Sequence, residues 1–211
     1  MKEKRLSLVY VILAAGMWGT TGVSIRILSQ FHFSSVQIVV AKLFIADIFL
    51  VGFLLITDRK KLKIEPKDIK WFFETGILSM LFFNICYSIF ARILLKKYHS
   101  LTIISYTFFI ASVGGIFIGN VPGIVAICVK TPAAIGAVLG SALICSILPY
   151  ILYTKALINI EASRASVLAS VEPVVATIIG VFMFSEKITV SAVFGIACVL
   201  AAIGILNVKQ N

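Results

Sequence analysis

A glutamate–proline pair interrupts an apolar stretch in the C-terminal part of the chain. Glu172 and Pro173 lie near the middle of the run 165–184. A charge in the middle of a membrane helix costs about 2.5 kcal/mol or more, so it faces a cavity, pairs or becomes protonated. Proline removes one intrahelical hydrogen bond and frees a carbonyl near Ala169. The pair predicts either a solute or proton site at a broken helix, or a protonated glutamate that only bends and packs its helix.

Two more charges lie inside a single apolar run, 36–57. Lys42 and Asp47 are five residues apart, which turns them about 140° from each other on a helix, so they do not face each other. An ammonium group at that depth reaches water only with difficulty. We therefore expect Lys42 to find a partner on another helix, and Glu172 is one candidate.

Several uncharged polar side chains also fall within apolar runs. Trp18, Thr20 and Thr21 either line a polar path or, for the two hydroxyls, bond back to their own helix, which is the favoured reading. The other polar groups at or near membrane depth are Asn84, Tyr87, Tyr106, Tyr150 and Tyr153. Because Tyr153 lies near the end of a run, it is expected to be an interfacial anchor.

Small residues and sulfur groups point to packing, not to metal or catalytic chemistry. The G-x-x-x-G pairs Gly115/Gly119 and Gly136/Gly140 predict close helix packing. The four cysteines form no C-x-x-C motif, and the two histidines lie near segment ends. With no nucleophile elbow or Asp-rich loop either, we expect no metal, no cofactor and no enzyme activity.

Composition identifies the surroundings of these groups. Apolar residues make up 60% of the chain and charged residues only 13%, whereas a soluble domain needs about a quarter charged residues. Seven apolar runs are visible, about as long as a bilayer-spanning helix requires. They cover roughly residues 6–28, 36–57, 71–91, 101–119, 133–154, 165–184 and 189–208. The first run is too long for a signal-peptide core and is expected to be an uncleaved helix. The sequence therefore predicts an all-α polytopic membrane protein with six to seven transmembrane helices.

The basic residues set the expected topology. If all seven runs cross, Lys and Arg divide 11 to 6 between the two sides. If run 71–91 enters and leaves on one face, they divide 15 to 2, which obeys the positive-inside rule far better. A hairpin of 21 residues has arms of only about 15 Å, too short to cross twice. Run 71–91 therefore resembles two joined half-helices, with the N-terminus cytoplasmic. Loop 120–132, with its two prolines, is predicted to be an irregular connector.

Particular motifs resemble one membrane-protein family. Residues 168–180 (LASVEPVVATIIG) carry the Glu-Pro step, a Ser-Glu-x-x-Thr turn follows at 185–189, and a glycine-bearing run closes at 195–204. Residues 14–22 (AAGMWGTTG) resemble the first helix of the same family, and Lys42 stands where the second helix usually carries a basic residue. Together these segments resemble EamA-type members of the drug/metabolite transporter superfamily.

The resemblance implies ten helices in two inverted halves of five, with both termini cytoplasmic, so this chain is about three helices short. We interpret residues 1–91 as a remnant of the N-terminal half and residues 92–211 as most of the C-terminal half. An internal deletion near Cys86 to Ser88 would have removed the fourth and fifth helices of the family. That deletion would also explain why both ends of run 71–91 carry basic residues.

The resemblance also implies a function. It predicts a permease of the bacterial cytoplasmic (inner) membrane that moves a small organic metabolite by alternating access. Its surroundings are the lipid bilayer and its ligand is the solute. No nucleic-acid partner is expected, because the basic residues cluster in short loops. Without a fourth helix the cavity would lose a wall. The alternatives are therefore a non-transporting membrane subunit, an inactive truncated transporter, or a homodimer that completes the cavity.

Overall fold

The computed structural model is helical throughout the part of the chain that it describes. It describes the backbone of residues 2–81 and 83–208 and the side chains of residues 3–76 and 87–205. The α-helices are α1 Lys2–Gly19, α2 Thr21–Ser29, α3 Ser35–Thr57, α4 Ile69–Leu81, α5 Phe83–Leu94, α6 Ser100–Ile118, α7 Val121–Lys130, α8 Pro132–Ala142, α9 Leu148–Ala156, α10 Ala162–Ala169, α11 Val171–Phe184 and α12 Val190–Val208. Short 3-10 helices at Arg59–Leu62 and Pro66–Asp68 precede α4.

Five helical stretches among the described residues are long and apolar enough to cross a membrane. They are Glu3–Ser29, Ser35–Thr57, Ser100–Ile118, Pro132–Ala156 and Ala162–Phe184. Apolar residues of the shorter helices α7 and α12 add to this hydrophobic body. The predicted fold class, an all-α polytopic membrane protein, is therefore confirmed.

Three of the five long stretches are interrupted near their middle. The first breaks at Thr20, between α1 and α2, and the fifth breaks at Ser170, between α10 and α11. The fourth contains one π-helical turn, Leu143–Ile147, between α8 and α9. Such turns locally alter the hydrogen-bond ladder and are often found at functional sites. By contrast, α3 and α6 run without a break.

Run 71–91 forms a hairpin of two short helices. With 13 and 12 residues, α4 and α5 are each less than 20 Å long and pack against each other. Their outer ends meet, because Lys97 Nζ lies 2.7 Å from Asp68 Oδ2 and also pairs with Glu65. Tyr98 donates a hydrogen bond of 2.5 Å to Asp68 Oδ2. Both ends of the run therefore lie on the same face of the bundle.

The polar segment 58–68 is held against the start of α6. Thr102 Oγ1 donates to the Lys61 carbonyl at 2.6 Å, and Tyr106 donates to the Leu62 carbonyl at 2.7 Å. On the same face, Asn159 donates to Ser7 Oγ at 3.1 Å, which links the segment 157–161 to the beginning of α1. We call this surface the first face.

The opposite surface, which we call the second face, contains the segments 30–34, 119–120 and 185–189. Arg26, near the end of α2, pairs with Glu186, and its guanidinium carbon lies 4.0 Å from the centre of the Phe184 ring. The end of α11 is capped by Ser185 in the left-handed region at φ 54°, with its N–H bonded to the Val181 carbonyl. The long stretches alternate in direction between the two faces.

The prediction of an irregular connector over residues 120–132 is wrong. The segment contains α7, whose N-cap Asn120 accepts a hydrogen bond from the Gly123 N–H at 3.3 Å. Pro122 lies in the first turn of α7, and Pro132 begins α8. Proline is tolerated in the first turn because those N–H groups have no intrahelical partner, so here the two prolines start helices instead of breaking them.

The hairpin arrangement predicts the sidedness of two loops. We replace the four native cysteines and introduce Lys60→Cys or Lys96→Cys on the first face, with Lys187→Cys on the second face as the control. All three lysines are exposed. In intact cells, a membrane-impermeant maleimide should either label both first-face variants and not the control, or label the control and neither first-face variant. Labelling of Lys96→Cys in the pattern of Lys187→Cys would show that run 71–91 crosses the membrane.

The ion cluster at the first face predicts a pH-dependent stability. Hydrogen bonds from Lys97 and Tyr98 hold the pKa of Asp68 below its usual range, and hydrogen bonds from Lys67 and Lys97 lower the pKa of Glu65. A depressed folded-state pKa stabilises the fold above the unfolded value of about 4, and that stabilisation is lost as pH falls through the folded pKa.

Hydrogen bonds from Lys97 to Asp68 and Glu65 raise the pKa of Lys97. The stabilisation that this ammonium group gives the fold is therefore lost only above about pH 10. Lys97→Gln should therefore lower the thermal midpoint by about 1–3 °C between pH 5 and 9, because exposed pairs contribute little. The deficit should shrink below about pH 4. The exposed neighbour Lys96 provides the control variant Lys96→Gln, and thermal unfolding in detergent is the readout. A deficit that is unchanged at pH 3 would contradict this account.

Candidate functional site

The break of the first long stretch contacts the breaks of the fourth and the fifth. Thr20 Oγ1 lies 3.5 Å from Cys145 Sγ, which joins the break of the first stretch to the π-helical turn of the fourth. Gly19, the last residue of α1, packs directly on the carbonyl of Glu172 at the beginning of α11. Helices that break where they touch leave polar backbone groups facing protein instead of lipid.

Aromatic rings form the wall of this centre. Tyr150 contacts three other rings, with centroid distances of 5.2 Å to Trp18, 5.2 Å to Tyr87 and 5.0 Å to Phe108. All three pairs have edge-to-face geometry, which is the favourable orientation for aromatic quadrupoles. Tyr153 joins the cluster through Trp18 at 5.3 Å. The cluster fixes α1, α5, α6 and α9 relative to one another.

A cavity of about 230 Å³ opens beside the aromatic wall, and we call it the Lys42 cavity. Its only charged lining residue among those described is Lys42, which is 6% exposed. The other lining residues are Trp18, Thr21, Val39, Leu43, Phe108, Ala111, Cys145, Ser146 and Tyr150. One cation, a few hydroxyls and several rings give this cavity the character of a small-molecule site.

A second cavity of about 360 Å³, which we call the hydroxyl cavity, lies between α2, α8 and α11. Thr20, Ser24, Ser141 and Cys145 supply its polar lining, and Ser24 donates a hydrogen bond to Ser141 across it. Its remaining lining residues are Val23, Ile27, Ala137, Gly140, Ile144, Ile179 and Met183. Cys145 lines both cavities, so they are neighbours along the fourth stretch.

Glu172 lies in the first turn of α11, directly after the break at Ser170, and is partly buried. A carboxylate at this position benefits from the free N–H groups and the dipole of the helix N-terminus. Its neighbour Pro173 also occupies the first turn, where its missing N–H costs nothing. The predicted effect of the pair, an interruption just beyond Ala169, is present in the structure.

The candidate pairing of Lys42 with Glu172 is absent: no ion pair joins the two among the residues whose side chains are described. Tyr150 lines the Lys42 cavity and lies within electrostatic range of Glu172.

The threonines and the aromatic candidates have separate roles. Thr20 Oγ1 donates to the Met17 carbonyl at 2.7 Å, which confirms the expected bond to its own helix, while Thr21 lines the Lys42 cavity. Trp18 and Tyr150 are part of the central wall. Tyr106 lies away from the centre and fastens the segment 58–68. The side chain of Asn84 lies outside the described residues.

Two other expectations are wrong. Tyr153 is not an interfacial anchor: it is fully buried, and its hydroxyl lies 2.7 Å from Ser88 Oγ, because α9 continues beyond it to Ala156. The pair Gly136/Gly140 does not mediate close packing either, since no neighbouring atom lies within 4 Å of where a Cβ would stand. This part of α8 borders the hydroxyl cavity, so no neighbouring helix packs closely against its glycines.

The first small-residue motif does pack as predicted. A Cβ at Gly115 would lie 3.1 Å from a Val40 methyl group, and at Gly119 the same side chain would be closer still, at 2.7 Å. This contact brings α3 and α6 together. Both helices also carry buried polar atoms without a hydrogen-bond partner among the described residues, namely Asp47 Oδ1 and the hydroxyls of Ser105, Thr107 and Ser112.

Local sequence patterns do not reveal the Arg26–Glu186 pair, and the buried hydroxyls of α6 were not predicted either. Arg26 lies in the first long stretch and Glu186 follows the fifth, 160 positions away, so no local periodicity connects them. The unusual placement of an arginine near the end of the first apolar run was the one available signal. The buried α6 hydroxyls are visible in sequence as a serine and threonine series between residues 100 and 112.

These features define a polytopic membrane protein whose broken helices surround a polar centre. Residues 5–89 and 86–208 each match the model of the EamA-like transporter family, and the chain belongs to this family. It is also 32% identical over 79 residues to the uncharacterized transporter YwfM of Bacillus subtilis strain 168. The aligned part covers 37% of this chain and 27% of that relative. No solved structure matches the chain.

The contact at Gly19 yields a packing prediction with a matched control. A Cβ at Gly19 would lie 2.8 Å from Val175 and 3.1 Å from the Glu172 carbonyl, whereas a Cβ at Gly16 meets nothing within 4 Å. Gly19→Ala should lower the free energy of unfolding by about 1–3 kcal/mol through overpacking, and Gly16→Ala should not. Adding Val175→Ala to Gly19→Ala should recover part of the loss. Equal thermal midpoints for the two alanine variants in detergent would contradict the contact.

Proposed function

We propose that the chain transports a small organic solute across the cytoplasmic membrane by alternating access. The observation that carries this proposal is the contact between three interrupted helices beside two cavities, one of which contains Lys42. Broken helices place free backbone groups at the centre of a membrane protein, where solutes and ions are commonly bound. Membership of the EamA-like transporter family supports the same class of function.

In this proposal Glu172 is the group that binds a proton or the solute, and Pro173 marks the hinge. Glu172 is partly buried, adjoins the break at Ser170 and lies within electrostatic range of the central ring Tyr150. Because α11 begins at the break, we infer that its tilt changes relative to α10, with both helices packed against α1 in the state described. Proton coupling rests on Glu172 alone.

Two ion clusters are suited to closing the path at its ends. The Lys97 cluster ties segment 58–68 to the connection between α5 and α6 on the first face, and Arg26 with Glu186 ties α2 to the segment after α11 on the second face. Both clusters are solvent-exposed, so they can open at little cost in free energy. The first face carries most of the basic residues, and we therefore assign it to the cytoplasm.

A second candidate function is a non-transporting membrane subunit or an inactive truncated transporter. The short helices α4 and α5 favour it, since neither spans a bilayer alone. The two family matches overlap at residues 86–89, near where we place the boundary between the two half-repeats, at 91/92. A homodimer would provide a further wall for the cavities and reconcile the short body with transport.

Reconstitution tests the proposal. Proteoliposomes are loaded with a panel of radiolabelled amino acids, carboxylic acids and nucleosides, and efflux is measured with and without a proton gradient. Glu172→Gln should reduce the efflux of the transported member at least tenfold, because the neutral amide can neither exchange a proton nor bind a cation. Glu161→Gln, at the N-cap of α10 on the first face, should leave efflux unchanged.

The number of protein molecules per vesicle is varied, so that a homodimer, if one forms, is present at the higher densities. No efflux of any panel member at any density would support the non-transporting subunit and contradict transport. Efflux that is equal in Glu172→Gln and in the unsubstituted protein would remove the assigned role of this carboxylate.

A further inference from the structure

Lys42 is a buried lysine without an acidic partner among the described side chains. It is 6% exposed, and among the described side chains it takes part in no ion pair and no hydrogen bond. Its own helix carries Asp47, which projects about 140° away around α3. Glu172, on α11, forms no ion pair with it among the described side chains. An ammonium group in such a place is costly unless another negative group joins it.

The cavity around Lys42 is built for a small ligand with a flat or branched apolar part. The rings of Trp18, Phe108 and Tyr150 form one side, and Thr21 and Ser146 supply hydroxyl groups near the cation. Its volume of about 230 Å³ lies below the usual range for sites that hold drug-sized molecules. The lining carries no carboxylate, so nothing within it repels a negative ligand.

We propose that this cavity binds a small organic carboxylate, with the Lys42 ammonium holding the carboxylate and the aromatic wall holding the apolar part. The inference rests on the proposed transport function and narrows its substrate class from any small solute to organic anions. A charge-assisted hydrogen bond to a carboxylate is stronger than one to the matching amide. The site should therefore distinguish an acid from its own neutral amide.

Binding is tested in lipid nanodiscs without any gradient. In a Trp71→Phe background, Trp18 is the remaining tryptophan and reports on the cavity wall. We titrate with two matched pairs of probes, benzoate against benzamide and isobutyrate against isobutyramide, and follow the Trp18 emission. Each acid should bind at least tenfold more tightly than its amide. Lys42→Arg should keep the preference, because the positive charge remains.

Lys42→Gln should abolish the preference while leaving the protein folded, since it removes a buried unpaired charge. Its thermal midpoint is measured to confirm folding, and Lys130→Gln at the end of α7 is the control that should bind like the unsubstituted protein. Equal binding of acid and amide, absence of saturable binding of both acids, or a preference that survives Lys42→Gln each overturns the proposal.

The outcome separates this inference from the transport proposal. Acid-selective binding without any flux would keep the anion site and remove transport. Flux of neutral panel members without acid-selective binding would keep transport and remove the anion site.

Discussion

The backbone of a membrane helix cannot break where it faces lipid, because an unpaired N–H or carbonyl in hydrocarbon costs several kcal/mol. Three of the five long stretches in this protein do break, at Thr20, at Leu143–Ile147 and at Ser170. The breaks touch one another through Thr20 and Cys145 and through Gly19 and the Glu172 carbonyl. These contacts place part of the irregular backbone against protein, whereas Ser170 and Pro173 themselves are exposed.

The contacts at the centre of the bundle differ in strength from those at its two faces. At the centre, the rings around Tyr150 and the buried hydroxyl pairs, such as Tyr87 with Thr154 at 2.6 Å, hold four helices in a fixed arrangement. At the two faces the helix ends are joined by ion pairs that involve solvent-accessible side chains, which are weak and salt-sensitive. The proposed transport would require these contacts to open while the aromatic centre keeps its shape.

Hydropathy and charge were sufficient to predict the helical fold, because each apolar run and each basic loop reports its own surroundings. The Glu172–Pro173 step predicted a broken helix for the same local reason. The sequence could not place Tyr153 in the core or pair Arg26 with Glu186, since these outcomes depend on which helices become neighbours. The prediction for segment 120–132 was wrong because a proline either ends or begins a helix, depending on its position. Here Asn120 caps α7 and Pro122 lies in its first turn.

Hydrogen–deuterium exchange in lipid nanodiscs tests most directly whether the helix breaks surround a water-accessible centre. Peptides covering residues 143–148 and 168–175 are compared with peptides from the unbroken middle of α3, residues 44–54. We expect the first two to exchange at least tenfold faster, because the α-helical hydrogen-bond ladder is interrupted in both and residues 144–146 line the cavities. Exchange as slow as that of α3 at both breaks would mean a dry, continuous core and would contradict the account.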